Sequence, residues 1–475
     1  VQIKNRNSFE IYSKGAVSNL LEISSYVLLQ GKVLPISNAH KTSILKNTDE
    51  MSGEALRTLG VAYKLEKTEI EDLGMEKDLI FLGVVGMIDP PREEVKTSII
   101  KAKNAGVTPI MITGDHKNTA FAIAKELGIT KNLEETISGV EMDLLTDSQF
   151  KTAVGKYRVF ARVSPKHKVD IVKALKEQGN IVSMTGDGVN DAPSLNSADI
   201  GVAMGISGTD VAKDAADIIL TDDNFATIVV AIEEGRNIYK NIKSAVMYLL
   251  TSNFGEVICL SLALLLGWEL PLIATQLLWI NLLTDSLPAI ALGLEPGDPE
   301  VMLQKPRDPN KSFFADGAWK HAIFGGIEIA LITLAAFWYG YYVNNSAPYS
   351  DDNSTETLNF ARTMAFMTII FSQLLYSLAF RNETKSIFKI GFFANLYILG
   401  AIFLGFLLQV LLLKIPILMN AFRLHPLSWN HWTIVILLGS LPLILNEIYK
   451  LIYNWRSTAN KNKKIPPKFY DGGIK

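Results

Sequence analysis

At 475 residues, with 46 basic and 48 acidic side chains, the chain is too long for one compact domain and too nearly neutral to attract nucleic acid through bulk charge. Its single cysteine, Cys259, lies inside an apolar run, which excludes a disulfide framework and a thiolate metal centre. Residues 1 to about 235 mix charge with short apolar runs, whereas from about 244 long apolar stretches alternate with short polar loops, so a soluble half precedes a membrane half.

Val1 to Arg6 show no charged leader followed by an apolar core and read as mid-domain sequence. From about 79 to 222 short β-like runs alternate with helical stretches, the pattern of a parallel sheet with crossover helices. Val107 to Ile112 and Asn180 to Met184 are strand-like, and each leads into Thr-Gly-Asp. Ligand sites in such folds gather where strands end, so both turns are placed for chemistry. In the first, Thr113 and the Gly114 amide stand at a helix start, where an anion is favoured and Thr113 can hold a phosphoryl oxygen. In the second, Met184 to Ser194, glycines allow a close turn while Asp187, Asn190 and Asp191 converge as oxygen ligands for Mg²⁺ in phosphoryl transfer. Asp89-Pro-Pro-Arg92 reads either as a rigid hinge or as a plain helix entry. Lys168, between the turns, can neutralise a transferring phosphoryl group.

Six stretches reach the roughly 20 apolar residues that a bilayer core of about 30 Å requires. They lie near 244–266, 272–293, 318–342, 361–380, 392–413 and 431–452. Lys240, Lys243, Lys305, Arg307, Lys320, Arg381, Lys385, Lys389, Lys450 and Arg456 fall on one side, which predicts a multi-pass protein with its soluble half and C-terminus cytoplasmic. Glu256 in the first span and Asp285 in the second stand out as intramembrane acids. Helical spacing puts Asn253 beside Glu256, and Asn281 and Thr284 beside Asp285, and the tight Gly267–Pro271 connection lets the two faces meet. Two carboxylates, two amides and a hydroxyl form a hard oxygen set suited to calcium, with manganese as the alternative. Helix-to-helix hydrogen bonding alone leaves two unneutralised acids unexplained. Pro288 predicts a locally broken helix that frees backbone oxygens. Gln373 reads as a packing residue, Glu328 as either a relay to the ligands or a group facing a protein interior, and Glu447 as a snorkelling acid.

Thr-Gly-Asp-Gly-Val-Asn-Asp-Ala-Pro at 185–193 resembles the hinge signature of P-type ATPases, and the resemblance runs from about Tyr12 to the last span. It implies an α/β phosphorylation domain of the haloacid-dehalogenase type over 79–235 and part of an α+β nucleotide-binding domain over 1–78. A six-helix transmembrane bundle over 236–455 would match the family's fifth to tenth helices, with a cytoplasmic tail over 456–475. Lys14, Gly15, Ala16 and Arg57 match the family's nucleotide-domain elements. By the same resemblance Asp187 binds Mg²⁺ with Asp191 and Asn190 in support, while Thr113, Gly114 and Lys168 hold the phosphate. Asp89, Arg92, Asp115 and Arg162 then act as the site closes on ATP. Ser-Asn-x-x-Glu at 252–256 and Trp-x-Asn-Leu-x-Thr-Asp at 279–285 are similar to calcium pumps, which implies Ca²⁺ export through an aspartyl-phosphate. No obligate protein partner is evident.

The family's Asp-Lys-Thr-Gly-Thr, its actuator Thr-Gly-Glu and its first four membrane helices are not in the sequence, so the expectation is a C-terminal portion that is inactive alone. The stretch Phe366 to Arg381 lacks the intramembrane acid of two-ion pumps, which suggests one ion per cycle. A membrane-anchored phosphatase would need a strand ending in Asp-x-Asp, and none occurs. A non-catalytic membrane remnant is the remaining alternative.

Overall fold

The computed structural model describes residues 2–5, 8–54, 56–67, 75–87, 90–315, 317–343 and 354–463, so Asp89, residues 344–353 and the end of the tail lie outside the described residues. The chain divides into two compact units, Val1–Glu233 with Glu300–Pro309, and Glu234–Pro299 with Asn310–Lys475.

The first unit begins with a sheet of β1 (Gln2–Asn5), β2 (Ser8–Gly15), β3 (Ser24–Leu29), β4 (Lys32–Pro35), β5 (Arg57–Glu66) and β6 (Leu79–Met87). Their order is β1-β2-β5-β6-β3-β4, antiparallel except where β3 meets β6. The Val17–Glu22 helix presses Val17, Leu20 and Leu21 onto Ala62, Leu79 and Phe81. That approach needs Gly60 on β5, where an added Cβ would stand 3.1 Å from Leu20 Cδ1 and 3.3 Å from Phe81 Cε2 and Val17 Cα.

Two three-stranded parallel sheets follow. One orders β7 (Met111–Thr113), β9 (Val159–Ala161) and β8 (Thr136–Ser138). The other runs β10 (Ser183–Gly186), β11 (Ile200–Met204), β12 (Ile218–Leu220). β7 begins at Met111 and β10 at Ser183, later than the expected runs, and Val107 and Ile110 pack partly buried against the core ahead of β7. Ile112 of β7 packs with Met184 of β10 and Val172 of the Pro165–Glu177 helix, so one core supports both strand ends.

The second unit is helical. Among the described residues five helices are long and apolar enough to cross a membrane, within Phe225–Leu265, Trp319–Val343, Thr355–Arg381, Leu396–Lys414 and Trp429–Trp455. The Ser354–Tyr376 helix is central, with Met364 through Met367, Ile369 and Ile370 all at 0% exposure, as expected of a helix apolar on every side. Gly326 lets the Ala318–Trp338 helix approach its neighbour so closely that a Cβ there would lie 3.1 Å from Gly255 N, the small-residue contact that membrane helices use. The stretch expected as the second of six spans, 272–293, is segmented into an Ala274–Trp279 α-helix, a π-helical turn over Ile280–Thr284 and a Ser286–Gly293 α-helix.

Replacing Gly60 with Val overpacks the first sheet and should cost about 1–3 kcal/mol, read as a lower urea midpoint for loss of the β-signal of the detergent-solubilised chain. An unchanged midpoint would show that the Val17–Glu22 helix can move away freely.

Candidate functional site

Two groups of sequence-predicted residues are assembled, one in each unit. In the first unit, Thr113 ends β7 and its hydroxyl donates to Asp115 Oδ2 at 3.0 Å while accepting from Asp115 N at 3.1 Å. This tight turn leads into the Lys117–Glu126 helix, so the Gly114 amide sits near the positive end of a helix. Lys117 Nζ bonds Glu141 at 2.7 and 2.8 Å, and this, followed by the Ser138 N–H, holds the Glu141 carboxyl at about 2.

The chain from 162 to 168 joins this turn to the second one. Arg162 adopts φ 48° and gives its N–H to Asp115 O at 3.1 Å, and Val163 N reaches Thr113 O at 3.4 Å. A left-handed arginine is costly, and the two bonds to the first turn hold it there. Ser164 then caps the Pro165–Glu177 helix through His167 N at 3.3 Å, with Pro165 favourable in its first turn. Three residues on, Lys168 forms an ion pair with Asp191 Oδ1.

Asp191 is 6% exposed, and its other oxygen accepts from Gly188 N at 3.1 Å and Asp187 N at 3.3 Å. Both carboxylate oxygens are therefore engaged. Asp187 and Asn190 are exposed, and no hydrogen bond to the Asp187 carboxylate occurs among the described residues. The donor set fits Mg²⁺ in a divided manner: Asp187 is free to ligate, and Asp191 shapes the loop that presents it.

The remaining residues of this unit are more dispersed. Lys14, Gly15 and Ala16 close β2, opposite Gly60 and Val61 of β5, and Arg57 starts β5, so all four stand at one end of the sheet. Arg92 donates to the Asp223 carbonyl at 3.3 Å. Asp223, which the sequence reading passed over, organises that corner: the N–H groups of Ile206 and Ser207 hold its carboxyl at about 2.

In the second unit Glu256 and Asp285 are 5% and 1% exposed. Asn281 Nδ2 donates to Glu256 Oε2 at 2.8 Å and to Leu277 O at 3.1 Å, leaving its own carbonyl oxygen free. Tyr248 Oη donates to Asp285 Oδ1 at 3.1 Å, while Asp285 Oδ2 is buried with no partner. Thr284 donates to Ile280 O at 3.0 Å, which keeps its lone pairs available. The expected break takes the form of the π-turn, with Asp285 N reaching back five residues to Ile280 O at 2.9 Å. Pro288 supplies no N–H, so the Thr284 carbonyl lacks its regular helical donor.

Asn253 is not part of this group. It is exposed and donates to Leu249 O of its own helix at 2.8 Å. Two residues join that were undervalued or missed. Gln373 reaches Glu256 Oε1 at a long 3.5 Å with its carbonyl oxygen buried and unpartnered, so it does more than pack. Tyr248 was legible in principle, because Tyr248, Ser252 and Glu256 recur every four residues and form a polar stripe on one helix face. Among the described residues no three His, Cys, Asp or Glu side chains converge, so any cation here needs amide, hydroxyl or backbone oxygens beside the acids.

Lys168→Met would strip the cation from a buried carboxylate, and breaking such a pair costs about 3–5 kcal/mol where burial is complete. With Lys168 21% exposed, a loss toward the lower end of that range is expected in urea unfolding of the chain. Lys168→Met with Asp191→Asn should recover part of it, and a double variant no better than the single one would contradict the pairing.

Comparison with known proteins bears on both units. Residues 1–94 match the model of the P-type ATPase cytoplasmic domain N, and residues 269–452 that of the cation transporting ATPase C-terminus. The chain is 51% identical over 450 residues to Calcium-transporting ATPase 1 of Bacillus cereus (strain ATCC 10987 / NRS 248), a match covering 94% of the chain and 51% of that protein. It is 42% identical over 437 residues to Calcium-transporting ATPase of Bacillus subtilis (strain 168), covering 92% and 48%. It is 36% identical over 467 residues to Calcium-transporting ATPase 3, endoplasmic reticulum-type, of Arabidopsis thaliana, covering 93% and 47%. The chain thus spans about half the length of the curated relatives it matches. With two Thr-Gly-Asp turns in one unit, buried acids in the other and matches across both, the chain belongs to the P-type cation-transporting ATPases.

Proposed function

We propose that the complete protein is an ATP-driven pump that moves Ca²⁺ across a membrane through an aspartyl-phosphate, and that this chain supplies most of the phosphate cradle and half of the cation site. The observation that carries the proposal is the buried pair Glu256 and Asp285, with Asp285 Oδ2 lacking any partner. A buried carboxylate oxygen without a donor is costly, and a bound divalent cation offsets that cost. The names of the relatives point to calcium as that ion.

In this reading 1–78 is the C-terminal part of a nucleotide-binding domain and 79–235 a haloacid-dehalogenase-like phosphorylation domain. Residues 236–455 supply six membrane helices, counting the segmented 272–293 stretch, and the base-rich ends face the cytoplasm with the tail from 456. Lys14, Gly15, Ala16 and Arg57 hold ATP, and Asp89, Arg92, Asp115 and Arg162 act as the site closes. Thr113, the Gly114 amide and Lys168 bind the phosphoryl oxygens, and Asp191 fixes the turn that carries Asp187 and Asn190. Mg²⁺ held at Asp187 supplies charge neutralisation on the phosphoryl group. No Asp-Lys-Thr-Gly-Thr element occurs in the 475 residues, so the chain by itself transfers no phosphate. At the membrane site Glu256, Asp285, the Asn281 carbonyl oxygen and Thr284 face the ion, and Asn253 contributes least because it bonds its own helix.

Radiolabelled calcium uptake by the full-length protein in vesicles tests this. Glu256→Gln and Asp285→Asn should each weaken calcium activation by more than the roughly 10–100-fold typical of an outer-shell partner, and Asn253→Ala by less. Uptake unaffected by the acid substitutions, or manganese uptake exceeding calcium uptake, would sink the assignment. The chain alone should form no acid-stable phosphoenzyme from labelled ATP.

A further inference from the structure

At one end of the helical unit, where three of its apolar spans begin or end, lies a cavity of about 320 Å³. The Phe225–Leu265 helix gives it Lys243 and Ser244, the Ala318–Trp338 helix gives His321, and the Trp429–Lys463 helix gives Tyr449, Lys450 and Tyr453. His321 stands at the start of the Trp319–Val343 span and Tyr453 at the end of the Trp429–Trp455 span, so the cavity lies at the depth of a membrane–water boundary. Trp319 and Trp455, 50% and 74% exposed, mark the same level, and the Lys320 ammonium sits over the Trp319 ring, the mixture of aromatic and basic groups that membrane edges favour.

The lining is rich in donors. The Ser244 hydroxyl, the His321 ring and the Tyr449 and Tyr453 hydroxyls make no hydrogen bond among the described residues. Lys450 is buried and spends two of its three donors, on Ala379 O at 2.7 Å and Glu447 Oε1 at 3.2 Å. Glu447 itself is also held by the Ser386 hydroxyl at 2.6 Å and the Ile387 N–H at 3.1 Å and lies behind the wall, so Glu383 is the one carboxylate of the lining among the described residues. Glu383 pairs with Lys243 at 2.8 Å but is 66% exposed, free to turn toward solvent. Two ammonium groups against one loosely held carboxylate, with four further donors, call for an acceptor-rich anion, and phosphate oxygens meet that demand. The volume falls within the roughly 300–1,000 Å³ of small-ligand sites.

The surroundings say where such a phosphate comes from. The His321 and Tyr449 rings meet at 5.6 Å, and one turn deeper into the two spans stand Phe324 and Leu445, 64% and 47% exposed. A headgroup in the cavity continues into acyl chains lying over these side chains, whereas a free phosphate would leave them bare. Basic pockets between helices at a membrane edge are suited to anionic headgroups.

We propose that this cavity binds the phosphodiester of one anionic membrane phospholipid. Lys243, Ser244, His321 and Lys450 face the phosphate oxygens, and the acyl chains run along Phe324 and Leu445. The bound lipid joins the Phe225–Leu265, Ala318–Trp338 and Trp429–Lys463 helices at the membrane boundary, whichever ion the complete protein carries.

The test titrates the delipidated full-length protein in detergent with phosphatidylglycerol, phosphatidylcholine or glycerol 3-phosphate. Bound molecules are counted by native mass spectrometry, and the thermal midpoint is followed in parallel. Wild type should hold one phosphatidylglycerol more tightly than any further copies, with the midpoint rising as that site fills. Lys243→Gln should weaken this first site about fivefold, the worth of one base at a lipid surface, and His321→Ala should weaken it as well. Phosphatidylcholine held as tightly as phosphatidylglycerol overturns the proposal, as does an unchanged first-site affinity in Lys243→Gln. Glycerol 3-phosphate bound as tightly as the lipid makes the site one for a soluble phosphate and overturns the lipid assignment. Should Lys243→Gln fail to fold, His321→Ala, at an exposed position, decides, and unchanged affinity there overturns the proposal equally.

Discussion

Two carboxylates inside an apolar bundle impose the constraint from which the rest of the membrane unit follows. Charge is expensive at that depth, and every nearby polar group is arranged around it: Asn281 and Gln373 donate to Glu256, and Tyr248 donates to Asp285. The donors leave one carboxylate oxygen and the Gln373 carbonyl unanswered. Such a deficit is costly in an apolar bundle, and it is the ground on which the cation site is proposed there. The long Phe225–Leu265 helix and the tightly packed Ser354–Tyr376 helix provide the rigid frame that keeps the incomplete shell from collapsing.

The second Thr-Gly-Asp turn divides labour between two neighbouring aspartates. Asp191 is buried and spends both oxygens on Lys168 and on the backbone of its own turn, whereas Asp187 is exposed and uncommitted. A loop whose shape is fixed by one acid can offer the other without rearranging. Because the 162–168 segment is bonded to the first turn at one end and to the second at the other, the threonine and the acids keep their spacing.

Much of this was legible in the sequence, for identifiable reasons. The two Thr-Gly-Asp turns announce themselves because glycine after a strand has few other uses, and Glu256 and Asp285 because acids are rare in apolar runs. Asn253 misled because spacing fixes a helix face only to within a side chain's reach, and its amide found a carbonyl one turn back on its own helix. Gln373 was read as packing because its partner lies 117 residues away, beyond any local pattern. Arg381, almost fully buried, pairs with Glu295 at 2.8 Å and braces the loops, a long-range match no periodicity could reveal. The segmentation of 272–293 was signalled by Pro288, but proline says only that a helix will be disturbed, not that it will widen.

That widening has an evolutionary corollary. A π-turn is an α-helix carrying one surplus residue, and loss of one residue within 280–284 would return that turn to the α-helical repeat, with the gap at Pro288 remaining. The same deletion would rotate everything after it by about 100°, carrying Asp285 out of line with Tyr248 and Glu256. A change that regularises this stretch of backbone is thus also one that takes the proposed ion ligands apart.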